Sequence, residues 1–167
     1  MPKTYTPIAT QTLTIASGTI DFNSIPQTYT DIVIATNAKT TTSSGTPSIN
    51  LRVNGDTSAN YSLTQMYGDG SSAASSRVTG QSFAYFSNIP NNSTNAWGSG
   101  IGSIMNYSNT TTFKTFLSRS DDVTNYAIAR VNLWRSTAAI TSIQLYEGSA
   151  GVFAPGSTFT LYGIKAA

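Results

Sequence analysis

Few side chains in this sequence could carry acid–base or metal chemistry. Histidine and cysteine are both absent. That excludes Ser-His-Asp and Cys-His arrangements and the usual zinc sites. The acids that remain are Asp21, Asp31, Asp56, Asp69, Asp121, Asp122 and Glu147. Paired-carboxylate hydrolysis would have to draw on these. Five of them sit in or beside Gly/Ser/Asn-rich turns, where Asp is an ordinary turn residue. The expectation is a protein that is not an enzyme and takes no cofactor. Asp121-Asp122 could lend oxygens to a calcium ion, which wants several such ligands. A solvated turn after a strand ending near Arg119 is the plainer reading. Asn54-Gly55-Asp56 has the start of a calcium loop without its remainder, and reads as a hairpin turn. Gly98, Gly100 and Gly102 match no nucleotide-binding spacing; they fit a strand edge or a close approach of backbones.

Binding chemistry is better represented. Nine Tyr, seven Phe and two Trp are many for a chain with so few charges, and Tyr and Trp join a large apolar body to a polar handle. Tyr61, Tyr67 and Tyr107 could line a sugar groove. Trp97 lies in a polar loop, where it either meets a partner or anchors the loop to the core. Trp134 ends a strand and is followed by Arg135; a strand-end core plug is the default there. These six residues are the interface or ligand candidates.

The elements that must position them are strands. Thr, Ser and Asn number 26, 23 and 13 of 167 residues, whereas charged residues make up only 10%. A soluble domain usually carries about 25% charged residues. This chain therefore solubilises itself with hydroxyls and amides, which suit short strands and side-chain-capped turns and disfavour helices. The length fits one domain with a real core, here residues 1–167. The net charge of +2 is small and its bases are scattered, so no basic stripe for nucleic acid is present. No apolar run is long enough for a transmembrane helix, and membrane insertion is not expected. The N-terminal residues lack the apolar stretch of a signal peptide. The protein is expected to act where it is made, or in an assembly built there.

Period-2 alternation recurs along the chain. Strands are expected over 8–15, with Leu13 and Ile15 on one face, and over 19–22. Others are expected over 29–36, covered on both sides, and over 48–53, returning across Asn54-Gly55-Asp56 as a hairpin with 60–66. Residues 68–76 read as a flexible loop, 77–86 as one strand, and 90–99 as a polar loop. Strands follow over 101–107 and 111–118, then a turn at Ser120-Asp121-Asp122. The longest strand, 125–134, has two candidate faces. Ala127, Ala129, Val131 and Leu133 form the clearer core face, leaving Tyr126, Ile128, Arg130, Asn132 and Trp134 on the other. Strands over 139–146 and 157–164 close the domain. About 8–10 antiparallel strands with regular turns predict an all-β, jelly-roll-like β-sandwich. With few charges to blunt strand edges, its edges must be looped over or paired with neighbours. Low charge with abundant aromatics also suits a subunit interface.

Several stretches are distinctive: Ser24-Ile25-Pro26-Gln27-Thr28-Tyr29-Thr30-Asp31, Leu51-Arg52-Val53-Asn54-Gly55-Asp56, and Ile104-Met105-Asn106-Tyr107-Ser108-Asn109-Thr110-Thr111. Leu133-Trp134-Arg135-Ser136-Thr137 and the final run Gly156–Ile164 belong with them. Together, over about residues 5–165, they resemble small virion structural proteins of tailed bacteriophages, of the marine and cyanobacterial phage type. The resemblance implies a homo-oligomeric β-sandwich, with a trimer favoured, acting as a capsid decoration or cement protein that binds the major capsid protein and bridges capsomers. It places the protein on a virion assembled in the host cytoplasm, and residues 1–12 become a docking arm or the first strand. Two alternatives accompany it: a tail-fibre head domain that binds a host surface glycan, and a tail or baseplate structural subunit. The resemblance carries no catalytic residues onto this chain.

Overall fold

In the computed structural model, residues 4–122 and 126–165 are described. They form twelve strands and one short 3-10 turn at Asn92–Thr94. The strands are β1 (Tyr5–Thr12), β2 (Thr19–Phe22), β3 (Asp31–Ala38), β4 (Ser48–Val53), β5 (Tyr61–Gly68) and β6 (Ala73–Gln81). The chain continues with β7 (Ala84–Asn88), β8 (Gly98–Met105), β9 (Lys114–Asp122), β10 (Tyr126–Trp134), β11 (Ile143–Glu147) and β12 (Thr158–Ile164). All pairings are antiparallel. One eight-stranded sheet runs β1-β12-β3-β8-β9-β10-β5-β6, and one four-stranded sheet runs β2-β11-β4-β7. The two pack as a sandwich-like arrangement with a shared apolar core.

Alternation builds that core. β12 turns Phe159, Leu161 and Gly163 inward and leaves Thr160 and Tyr162 half-covered on the other face. β4 contributes Ile49, Leu51 and Val53, and β3 contributes Ile32 and Ile34. Val33, on the opposite face of β3, is buried too, so the strand is covered on both sides. The glycines of β8 allow close approach of β7: a Cβ on Gly100 would lie 2.8 Å from the Ser87 side chain, and one on Gly102 would lie 2.6 Å from the Phe86 ring.

Strand β10 buries the opposite face from the one expected. Ile128, Arg130, Asn132 and Trp134 point into the sandwich, while Ala127, Ala129 and Val131 face solvent and Leu133 is only half-buried. The cause is the unpaired edge of β7, which lies over β9 and β10 and needs hydrogen-bond partners. Asn132 takes both backbone groups of Tyr85: its Oδ1 accepts from the amide at 3.1 Å and its Nδ2 donates to the carbonyl at 2.9 Å. Ser118 Oγ donates to the Phe86 carbonyl at 2.7 Å, and the Asn88 amide donates to Ser120 Oγ at 3.2 Å. Polar residues therefore line the inner face because a strand edge is docked there.

Other expectations change for related reasons. Asn54 and Gly55 do make a tight turn, both with positive φ (51° and 65°), closed by the Asp56 amide on the Val53 carbonyl at 2.9 Å. The strands either side do not pair: β4 lies in the small sheet and β5 in the large one. The turn is a crossover between layers, and the Tyr61 hydroxyl accepts from the Val53 amide at 3.1 Å to hold it. Residues 77–86 split, with β6 in the large sheet and β7 in the small. The loop expected at 68–76 shrinks to a hairpin turn whose Asp69 Oδ1 accepts from the Ser71 and Ser72 amides at 2.9 and 2.7 Å. Those amide bonds, from Ser72 first, hold the Asp69 carboxyl well below the usual carboxylate range. Ser120-Asp121-Asp122 is not a turn but the end of β9, because pairing with β10 runs on to Asp122. The first strand stops at Thr12, and Ile15 lies in a loop, exposed. Residues Tyr5–Thr12 pair with β12 at one edge of the large sheet.

Candidate functional site

The six sequence candidates do not assemble. Tyr61 and Tyr107 are wholly buried in the core: Tyr61 stacks on Trp134 with centroids 6.4 Å apart, and the Tyr107 hydroxyl donates to the Pro26 carbonyl. Trp134 is a buried plug whose Nε1 donates to Asp56 Oδ2 at 2.7 Å. Burial alone would raise the Asp56 carboxyl, but hydrogen bonds from Asn60, Trp134 and Ser58 outweigh it and hold the group at about 2. Arg135 is exposed beside it. Trp97 is partly exposed and its ring packs over Gly156, where a Cβ would lie 3.0 Å from the indole. Tyr67 lines a cleft.

Two buried charged groups elsewhere are tied into structure. Glu147 Oε2 accepts from the Ser149 and Gly151 amides at 2.8 and 2.6 Å, closing the turn after β11. Lys114 is wholly buried and donates to the Thr112 and Thr137 carbonyls at 2.8 and 3.2 Å; burial pushes its ammonium down. Asp121 accepts from the Ser99 amide at 3.2 Å. Among the described residues, no group of three or more His, Cys, Asp or Glu could hold a metal ion.

Two features are not absorbed by the fold. The first is the outer face of the eight-stranded sheet, the side away from the small sheet. The pairing places Ile101, Arg119, Ala129 and Met66 in one row across β8, β9, β10 and β5. The next row carries Ser103, Leu117, Val131 and Thr64. Met66 is 65% exposed, Leu117 and Met105 48%, Val131 44% and Ile101 38%. Met66 and Ile101, with Ala127, Ala129 and Ala73, line an open trough of about 920 Å³ that also holds Arg119 and Asp121; Leu117, Val131 and Met105 lie on the same face outside it. This face follows directly from the inversion of β10. Edge strand β6 adjoins it and is exposed along nearly its whole length.

The second is a cleft of about 390 Å³ where β5 and β6 extend past the edge of β7. Tyr67, Tyr85 and Tyr126 line it, with Ser48, Ser76 and Thr46. Arg130 is also part of its lining, only 5% exposed. Arg130 Nε donates to Gln65 Oε1 at 3.0 Å and Nη2 to Asn88 Oδ1 at 2.6 Å. Nη1 is buried with no partner. Burial pushes the guanidinium down to about 10, so it stays charged at neutral pH, and among the described residues no carboxylate is seen to act on it. The alternation puts Arg130 on the face opposite the clearer core face, and it is not among the sequence candidates. The available signal was an Arg flanked at two-residue spacing by Ile128 and Asn132, with Trp134 next, a mixed face that suits a docked edge.

No protein-family model and no curated protein matches the chain. Among solved structures, the chain is similar to scytalido-glutamic peptidase bound to a transition state analog inhibitor. The match has 15% identity and a TM-score of 0.34, covering 89% of this chain and 75% of that one. A likeness that weak supports no argument about fold or chemistry.

Proposed function

We propose that this chain is a non-catalytic structural subunit that self-associates, a capsid decoration protein of the kind its sequence resembles among tailed bacteriophages. The observation that carries the reading is the exposed apolar outer face of the large sheet. Monomeric proteins rarely expose contiguous apolar patches beyond a few hundred Å² unless the surface is used. Interface centres are enriched in Met and Arg, and this face carries Met66, Met105 and Arg119. Its partner is a second copy of the chain. Arg119 and Asp121 lie two residues apart on this one face, so an antiparallel copy brings opposite charges together over apolar ground. Several such modest contacts, joined in one oligomer, would hold neighbouring capsomers by avidity.

Light scattering on the full chain tests the interface. An oligomer that becomes monomeric on Leu117→Asp or Val131→Asp supports it. A monomeric wild type, or an oligomer indifferent to both changes, overturns it. Virion reconstruction tests the location: copies spread over the shell support decoration, and copies confined to the tail refute it.

A further inference from the structure

The Arg130 cleft is separate from the outer face, since Arg130 projects to the inner side of β10 whereas Ala129 and Val131 project outward. Its chemistry is that of an incomplete ion site. A guanidinium offers five N–H donors, and here two directions end on the neutral amide oxygens of Gln65 and Asn88. The Gln65 amide is itself fixed, since its Nε2 donates to Ser76 Oγ at 3.0 Å, and the backbone that carries the Asn88 side chain is held by its amide on Ser120 Oγ. The guanidinium plane is therefore set, while among the described residues no carboxylate is seen against its charge and Nη1 has no acceptor. Buried charges are ordinarily paired, because leaving one unpaired is strongly unfavourable. Folding alone does not explain retaining this one.

We propose that the cleft binds an acidic saccharide, with the sugar's carboxylate seated on the Nη1 edge of Arg130. A single guanidinium edge matches the two oxygens of one planar carboxylate. A free phosphate would ask for several more donors. The walls suit a sugar ring: Tyr67 and Tyr126 meet edge to face with centroids 5.6 Å apart, and Tyr85 closes the side toward β7. Their rings supply apolar surface, and the hydroxyls of Ser48, Ser76 and Thr46 supply polar contacts. At about 390 Å³ the cleft lies in the range of small-ligand sites. Because Nη1 is closed off from bulk water, the surrounding side chains must give way by about the width of one oxygen atom as the carboxylate enters.

Calorimetry on the full chain provides the test, with glucuronic acid and N-acetylneuraminic acid as probes and glucose and inorganic phosphate as controls. The expected result is binding of at least one sugar acid, weakened by about tenfold or more in Arg130→Met. Glucose and phosphate should bind far more weakly than that sugar acid. The thermal midpoint of Arg130→Met should equal or exceed that of the wild type, because the change removes an uncompensated buried charge. Tyr67→Ala gives a second reading, with weakened sugar-acid binding and an intact fold. Failure of both sugar acids to bind overturns the proposal. So does equal binding of phosphate or glucose, or a sugar acid that binds Arg130→Met as tightly as the wild type.

Discussion

The Trp134 indole donates a 2.7 Å hydrogen bond to the Asp56 carboxylate, which fastens the end of β10 to the turn leaving β4. That one contact joins the two layers, since β10 lies in the large sheet and β4 in the small. It also explains why Asp56, Asn60 and Trp134 act as a unit: Asn60 Nδ2 donates to the same carboxylate oxygen at 2.9 Å.

Asp56→Ala should therefore destabilise by about 1–3 kcal/mol, because it leaves the buried indole N–H without an acceptor. Its pH dependence follows from the depressed carboxyl, at about 2 against an ordinary 3.8. The stabilisation is fully present above the unfolded value and is lost as pH falls through the folded one. Urea midpoints measured between neutral pH and pH 2 should show the wild type losing its advantage over Asp56→Ala across that window.

At the alkaline end Tyr61 governs a second window. Burial, ahead of the other influences, pushes its phenol from 10.0 up to about 12. The neutral form is thus favoured in the fold, so the contribution is complete below the unfolded value and disappears as pH rises through the folded one. Tyr61→Phe keeps the ring stacked on Trp134 but removes the titration. Tyrosinate absorbance and thermal midpoints should reveal a steeper alkaline loss in the wild type than in this variant.

Asn132 makes two hydrogen bonds to the backbone of Tyr85. Asn132→Leu should destabilise by about 2 kcal/mol or more, leaving an amide and a carbonyl of the β7 edge unpaired. Ala129→Ser, one strand face away, should shift stability by no more than about 0.5 kcal/mol. Chemical denaturation of the two variants side by side reads out which face of β10 is inside.

Neighbours on β9 offer the same contrast. Phe116 is buried and Leu117 is 48% exposed. Phe116→Ala should cost about 3–5 kcal/mol. Leu117→Asp, measured in dilute solution, should leave the stability of each subunit within about 0.5 kcal/mol of the wild type. Reversal of that order would mean that the sheet faces are assigned the wrong way round.

Much of the fold was legible in sequence because it depends on local physics. Period-2 alternation marks strands, and β3, β4, β8 and β12 fall within two or three residues of where it puts them. Asn54-Gly55 announces a turn because both residues tolerate positive φ. The glycines at 98, 100 and 102 fit either a strand edge or a close approach; β8 is an inner strand, Gly100 and Gly102 lie close under β7 side chains, and Gly98 lies close under Ile89 and Pro90 just beyond it. Less legible was pairing across distance. The Asn54-Gly55 turn looks the same whether the chain returns in its own sheet or crosses to the other. The candidate tyrosines suffered likewise: Tyr61 and Tyr107 have the composition of a groove but sit in the core, and Tyr67 reaches a cleft only because β5 outruns β7.

Residue types alone decided that this chain is built of short antiparallel strands, that histidine and cysteine chemistry is closed to it, and that few charges protect its surface. Tertiary structure alone decided which face of β10 is buried. By apolar count, Ala127, Ala129, Val131 and Leu133 should face in, yet Arg130 and Asn132 do, because the bare edge of β7 lies against them and unpaired backbone groups outweigh the gain from burying alanines. The same inversion leaves the apolar residues outside as an exposed face and Arg130 inside as a charge held by two neutral side-chain amides. No alternation pattern could reveal either, since both depend on where a strand some forty residues earlier in the chain comes to rest.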